Sequence, residues 1–186
     1  MKRVEAAGGK LTVTAIIMKV AGAALKVFPQ FNASVDMAHE SIVLKKYIHI
    51  GVAVDTERGL LVPVIRNVDQ RNIVELSVDL HVLAEKSRQK KITLEELDGA
   101  TFTITNLGSI GTTYFTPIVN WPQVAILGVG RSEIKPVWQN NTWVPRTILP
   151  LSVTYDHRAI DGADAGRFLK WMSEALQDPF LIELQG

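Results

Sequence analysis

The chain has 186 residues, 47% hydrophobic and 21% charged, enough to bury the core of one domain. Its formal net charge of +1 gives no global field to draw it to nucleic acid or an anionic membrane. Zero cysteine excludes disulfides, thiolate metal sites and a cysteine nucleophile, and fits a reducing compartment.

The first apolar stretch, Leu11 to Phe28, is broken by Lys19, Gly22 and Lys26, which argues against a membrane span. No apolar segment ending in a cleavage site precedes it. Its spacing predicts a helix with Leu11, Ala15, Met18, Ala21, Gly22 and Leu25 on one face and Lys10, Lys19 and Lys26 toward water. Pro29 ends it, because the residue before proline avoids the helical region. Ile42 to Leu44 and Tyr47 to Val54 read as strands. Thr56-Glu57-Arg58-Gly59 is a turn, and Leu60 to Ile65 returns as a strand in which Pro63 marks an edge or a bulge. Asn72 to Lys91 is an amphipathic helix with an Ile73, Leu76, Leu80, Leu83, Ala84 stripe, and Asn72 with Glu75 forms a box-like cap. Thr93-Leu94-Glu95-Glu96 opens a short helix by the same logic, and Asp98-Gly99 turns the chain into strand Ala100 to Thr105. Val124 to Val129, Ile134 to Trp138 and Thr147 to Tyr155 are strands, with Asn140-Asn141 at a hairpin tip. A last helix runs from Gly162 or Ala163 to about Leu176, and Pro179 follows it. The order is helix, strands, helix, strands, helix, without strict alternation or internal repeat. The fold class is therefore α+β with a mixed sheet.

His157 stands four residues before Asp161-Gly162, at the end of an apolar run. Histidine moves protons near neutral pH, and a neighbouring carboxylate can hold its ring or brace its loop. The spacing equally describes a strand, a turn and a helix capped by Asp161, with Gly162 allowing close approach or a positive backbone angle. His39, His49 and His81 have no comparable context; His81 reads as a helix-surface residue. Gly108 and Gly111 are turn glycines, since no Gly-Lys-Ser/Thr follows them. Asp156-His157-Arg158 is not the kinase order His-Arg-Asp. No His-Glu-x-x-His pair or EF-hand loop exists, so no metal is expected.

The segment Asp156-His157-Arg158-Ala159-Ile160-Asp161-Gly162 resembles the active-site motif of the dihydrolipoamide acyltransferases, the core subunits of 2-oxo acid dehydrogenase complexes. Chloramphenicol acetyltransferase shares a shorter form. Thr101-Phe102-Thr103-Ile104-Thr105-Asn106-Leu107-Gly108-Ser109-Ile110-Gly111 is similar to the family's second signature. Thr116 to Asn120, Pro122 to Gly128, Asn32-Ala33-Ser34 and Ile50 to Thr56 also match, in the family's order and through nearly the whole chain.

The resemblance implies a chloramphenicol-acetyltransferase-like fold, a mixed β-sheet flanked by helices, forming trimers with active sites at subunit interfaces. It implies acyl transfer between coenzyme A and dihydrolipoamide on a separate lipoyl domain. His157 would take the thiol proton as general base, Asp161 would hold the site's architecture, and Thr105 of a neighbouring subunit would face His157 and stabilise the oxyanion. Many acetyl-transferring relatives carry Ser at the Thr105 position. Even so, Thr112 to Pro117 and Val137-Trp138 resemble the acetyl-transferring branch of pyruvate dehydrogenase complexes; succinyl and branched-chain acyl groups are the alternatives. Residues 1–186 would be the catalytic domain, starting after the family's first strand and helix, with no lipoyl or subunit-binding domain. The other complex subunits would be met through those domains. Lys45, Lys46 and Arg131 are either coenzyme A phosphate contacts or solvated charges. Pro179 to Leu184 would plug a neighbouring trimer, building a cubic or dodecahedral core, or pack on its own subunit. The implied setting is bacterial cytoplasm, or the mitochondrial matrix in a eukaryote. A non-catalytic core component is a second reading, opposed by the joint presence of Thr105, His157 and Asp161. A free small-molecule acetyltransferase is a third.

Overall fold

The computed structural model describes residues 2–57 and 59–185, except the side chains of Leu184 and Gln185. Its helices are α1 (Lys2–Ala6), α2 (Val13–Val27), α3 (Ile73–Arg88), α4 (Gly162–Gln177) and α5 (Phe180–Gln185). Its strands are β1 (Ala33–Asp36), β2 (Ser41–Leu44), β3 (Ile50–Val52), β4 (Val54–Thr56), β5 (Gly59–Leu61), β6 (Val64–Ile65), β7 (Phe102–Asn106), β8 (Ala125–Val129), β9 (Glu133–Gln139), β10 (Thr142–Ile148) and β11 (Leu151–Tyr155). Five of them form the central sheet in the order β11-β8-β7-β3-β6. The three inner strands are parallel and the two edges antiparallel. The class is α+β with a mixed sheet, as the pattern of elements predicts.

The helix α2 begins at Val13 rather than Leu11 because Thr12 caps it, its side chain accepting from Ala15 N at 3.2 Å. Ala15, Ile17, Met18 and the run Val20 to Leu25 are all buried. Small residues let α2 approach its neighbours: a Cβ on Gly22 would meet Val68 at 2.9 Å. Lys19 does not point to water. It is half-buried, its Nζ donates to the Arg71 carbonyl at 2.8 Å, and burial pushes its pKa down. From α4, Phe168 stacks on Phe31 at 4.2 Å and meets Phe28 and Phe102 at 5.8 and 6.0 Å. This aromatic cluster ties both helices to β7.

Several expected strands are interrupted. Tyr47 to Val54 enters the sheet only at Ile50, and Ala53 separates β3 from β4. Leu60 to Ile65 divides at Val62-Pro63 into β5 and β6. Proline cannot donate to the ladder, and the Pro63 carbonyl accepts from Val52 N while β6 takes the sheet edge. Within the expected turn before β5, Arg58 lies outside the described residues. Thr147 to Tyr155 is not one strand: β10 pairs with β9 and β11 with β8, on either side of Leu149-Pro150. Asn140 and Asn141, at φ 51° and 57°, make the hairpin tip, as the paired asparagines predict.

The predicted cap of α3 is present: the Asn72 side chain accepts from Val74 N and Glu75 N, and Glu75 accepts from Asn72 N. The helix stops at Arg88, short of Lys91. Ser77 and Ser87 are buried, each hydroxyl bonding back to a helix carbonyl at 2.7 Å. The short helix after Thr93 is a single 3-10 turn, Glu95–Leu97. Four elements were not expected: α1, β1, the part of β10 before Thr147, and α5, which follows the expected last helix. In α5, Leu181 and Ile182 pack on the chain's own core. The Leu184 side chain lies outside the described residues.

Candidate active site

Residues 101–105 alternate threonine with apolar side chains. A strand's period of two sends Phe102 and Ile104 to the helical side and the three threonines to the other face. Thr101 is held by His49, whose N–H it accepts and whose carbonyl it meets at 3.1 Å. Thr103 donates to Gln123 Oε1 at 2.7 Å. Thr105, 8% exposed, ends the series.

The turn after Thr105 is fixed by Asn106, whose Nδ2 donates to Thr14 Oγ1 at 3.0 Å while its Oδ1 accepts from Gly108 N at 2.9 Å. Gly108 must lack a Cβ, which would sit 2.7 Å from the Gly130 carbonyl oxygen. Gly111 closes the turn at φ 96°. Both glycines are turn residues, as expected. A cavity of about 580 Å³ opens here, lined by Thr105, Asn106, Thr14, Asp55, His81 and Arg88. The reading of His81 as an ordinary helix-surface residue misses this placement. It is exposed on α3, yet it shares the cavity with Thr105; β4 supplies Asp55. No spacing in the sequence joins these positions, because the sheet and α3 bring them together.

His157 lies on the turn that follows β11. Asp156 N donates to the Val124 carbonyl at 2.8 Å, and the Asp156 carbonyl accepts from Ala159 N and Ile160 N. Ile160, 2% exposed, anchors the far side. His157 is exposed, with the Tyr155 ring 5.6 Å away. Arg158 folds back on Asp156, its Nε at 2.9 Å from Oδ1 and its Nη2 at 2.6 Å from Oδ2. Those bonds hold the Asp156 carboxyl below its usual range and raise Arg158. The Asp161 carboxylate accepts from Asp164 N at 2.8 Å and caps α4. Gly162 needs none of its freedom: its φ is not positive, and a Cβ there would only touch Tyr155 Oη at 3.6 Å.

The register decides how these parts relate. Asp156 meets β8 at Val124, whereas Thr105 pairs with Gly128. Four residue steps separate those levels (128 − 124), on the order of 13 Å along the strands. One chain therefore brings His157 and Asp161 to one end of the sheet and Thr105 to the other. The cavity at Thr105 is not lined by His157.

Residues 1–184 match the family described as 2-oxoacid dehydrogenases acyltransferase (catalytic domain). The chain is 51% identical over 174 residues to the dihydrolipoyllysine-residue acetyltransferase component of the pyruvate dehydrogenase complex of Azotobacter vinelandii, covering 94% of this chain and 27% of that protein. The chain thus spans about three-tenths or less of the length of the first such relatives. A crystal structure of the Azotobacter vinelandii dihydrolipoamide acetyltransferase superposes with a TM-score of 0.94 at 49% identity, covering 97% of this chain and 74% of that one. That structure addresses the role of a serine, a histidine and an asparagine in the enzyme's catalytic mechanism. The serine precedes the histidine by 52 residues and the asparagine follows it by 4, the spacings of Thr105, His157 and Asp161 (157 − 105 and 161 − 157). The cubic core of a pyruvate dehydrogenase multienzyme complex gives the same TM-score, identity and coverage. Chloramphenicol acetyltransferase, at 16% identity over 93% of this chain and 80% of its own, shares the fold with a TM-score of 0.56. The expected chloramphenicol-acetyltransferase-like fold is therefore present, and the chain belongs to the 2-oxoacid dehydrogenase acyltransferase family, in its catalytic domain.

Proposed function

We propose that this chain transfers an acetyl group between dihydrolipoamide, carried on a lipoyl domain, and coenzyme A, at a site shared by two subunits of a trimer. The observation that carries this reading is the separation of His157 from Thr105 across the sheet, although they match the spacing of a catalytic set in a 49% identical enzyme. Two copies are needed to close such a site. Bacterial relatives named as pyruvate dehydrogenase acetyltransferases support the acetyl choice and a cytoplasmic setting.

The chemistry follows from the residues. A free thiol with pKa near ~8.5 is only slightly ionised at neutral pH. His157 removes the thiol proton of coenzyme A as its sulfur attacks the thioester carbonyl of acetyl-dihydrolipoamide. The new carbon–sulfur bond leaves negative charge on the former carbonyl oxygen, toward which the Thr105 hydroxyl of the neighbouring copy donates. The carbon–sulfur bond to dihydrolipoamide then breaks, and the imidazolium returns its proton to that sulfur. Asp161 holds the start of α4, and through it the end of the His157 turn.

Assay of the purified oligomer with acetyl-coenzyme A and dihydrolipoamide tests the proposal in the reverse direction. Acetyl transfer is expected, with His157→Ala lowering kcat by about 10²- to 10⁴-fold. No transfer from acetyl-, succinyl- or branched-chain acyl-coenzyme A would overturn it.

A further inference from the structure

We propose that Asp156 and Arg158 are positioning residues for His157, a clamp closed across it that fixes the turn and cancels charge on both sides of the imidazole. This rests on the acyl-transfer reading, in which His157 is the base.

The clamp is visible in the contacts. The Asp156 carboxylate accepts from Arg158 N at 3.0 Å and from the guanidinium through three further contacts of 2.6–3.1 Å. The backbone of Asp156 is pinned to β8 on one side and to Ala159 and Ile160 on the other. Arg158 also reaches out of the turn: its Nη1 lies 3.1 Å from the Met37 sulfur, at the tip between β1 and β2. Thus one guanidinium spans the residue before His157 and a separate hairpin, while His157, between Asp156 and Arg158 in the chain, stays exposed. A planar fork suits this geometry and an ammonium does not.

The charges around the turn are otherwise engaged. Asp161 caps α4, and Asp164 pairs with Arg167 at 2.6 Å. On the β1–β2 tip Asp36 pairs with His39 at 2.8 Å, with exposed Glu40 beside it. From β11, Tyr155 presents its ring. The Asp156–Arg158 pair is therefore the charge balance of the His157 turn itself. Removing either member leaves an uncancelled charge one residue from the base, and the two removals have opposite signs. A bare carboxylate favours imidazolium, and a bare guanidinium disfavours it.

The test is the pH profile of kcat/KM for Arg158→Gln, Asp156→Asn, the double variant and Arg158→Lys. Asp156→Asn keeps an acceptor for Arg158 N, and Arg158 is exposed, so these variants are expected to fold. Arg158→Gln should move the acid limb to higher pH and Asp156→Asn to lower pH, each by about half a unit. The double variant should restore the limb. Arg158→Lys should keep the limb in place yet lower kcat about tenfold at unchanged KM, because it retains charge and loses the fork. Shifts of the same sign, or no shift together with wild-type kcat, would overturn the inference. An NMR titration of the His157 ring without substrate should show the same opposed displacements. It reads the clamp even if the acyl-transfer assay fails, so the two ideas fall separately.

Discussion

Asp161 follows His157 by four residues, and its carboxylate is spent on the first turn of α4. Aspartate and asparagine cap helices about equally well, whereas alanine costs about 1 kcal/mol. Asp161→Asn should therefore keep stability to within about 0.5 kcal/mol and retain activity, as the asparagine at the matching spacing in the Azotobacter vinelandii enzyme suggests. Asp161→Ala should lose about 1 kcal/mol in chemical denaturation; wild-type stability there would remove the cap from the account. Thr105 is a separate matter, because in the proposed mechanism its hydroxyl acts only in the transition state. Thr105→Ala should lower kcat about 10²- to 10³-fold with little change in melting temperature, and Thr105→Ser should recover most of the loss. A Thr105→Ala protein with wild-type kcat would show that the hydroxyl does not meet the reacting oxygen. The placement of His157 and Asp161 at the two ends of one turn is legible as a four-residue spacing. The contact of Arg158 with Asp156 is not, since charges two residues apart can pair or point away until the turn folds one on the other.

Elements with short-range signals are the readable ones. Both boxes, Asn72 with Glu75 and Thr93 with Glu96, are written three residues apart, and both form. That Glu96 is also reached by Lys86 at 2.5 Å depends on how the chain returns past the end of α3. Lys86 donates to the Glu96 carboxylate and holds it below its ordinary value. A depressed carboxyl contributes stability that is fully present above its unfolded-state pKa and is lost as pH falls through the folded-state value. The melting-temperature gap between wild type and Glu96→Gln should therefore shrink as pH drops from about 6 to about 3. A gap independent of pH would show that the bridge adds nothing. The same division applies to glycine. Gly111 is legible as a turn glycine, but Gly130 is not, although a Cβ there would collide with the Thr113 carbonyl. The strands β5 and β6, and β10 and β11, read as two continuous runs because alternation survives a proline while hydrogen bonding does not.

For the whole molecule, the decisive feature is that His157 and Thr105 occupy opposite ends of one sheet. The proposed trimer, with sites formed between subunits, makes a sharp prediction. His157→Ala and Thr105→Ala chains, each strongly impaired alone, should regain part of the wild-type activity when co-assembled from a dissociated mixture, because some interfaces then pair an intact His157 with an intact Thr105. Either variant assembled alone should stay at its residual level, and a mixture no more active than its components would place the site within one chain. Sequence by itself determined the α+β class, the caps of α3 and α4, the hairpin tip and the candidate residues Thr105, His157 and Asp161. Each of these is encoded by neighbours a few residues apart or by an ordered set of motifs. Tertiary structure alone decided that Asp55 and His81 share a cavity with Thr105, that Arg158 reaches Met37 on the β1–β2 tip, and that His157 and Thr105 stand apart. Those relations depend on strand order and register, which side-chain periodicity does not specify. A period of two sets the face on which a residue lies and leaves open which strand lies beside it.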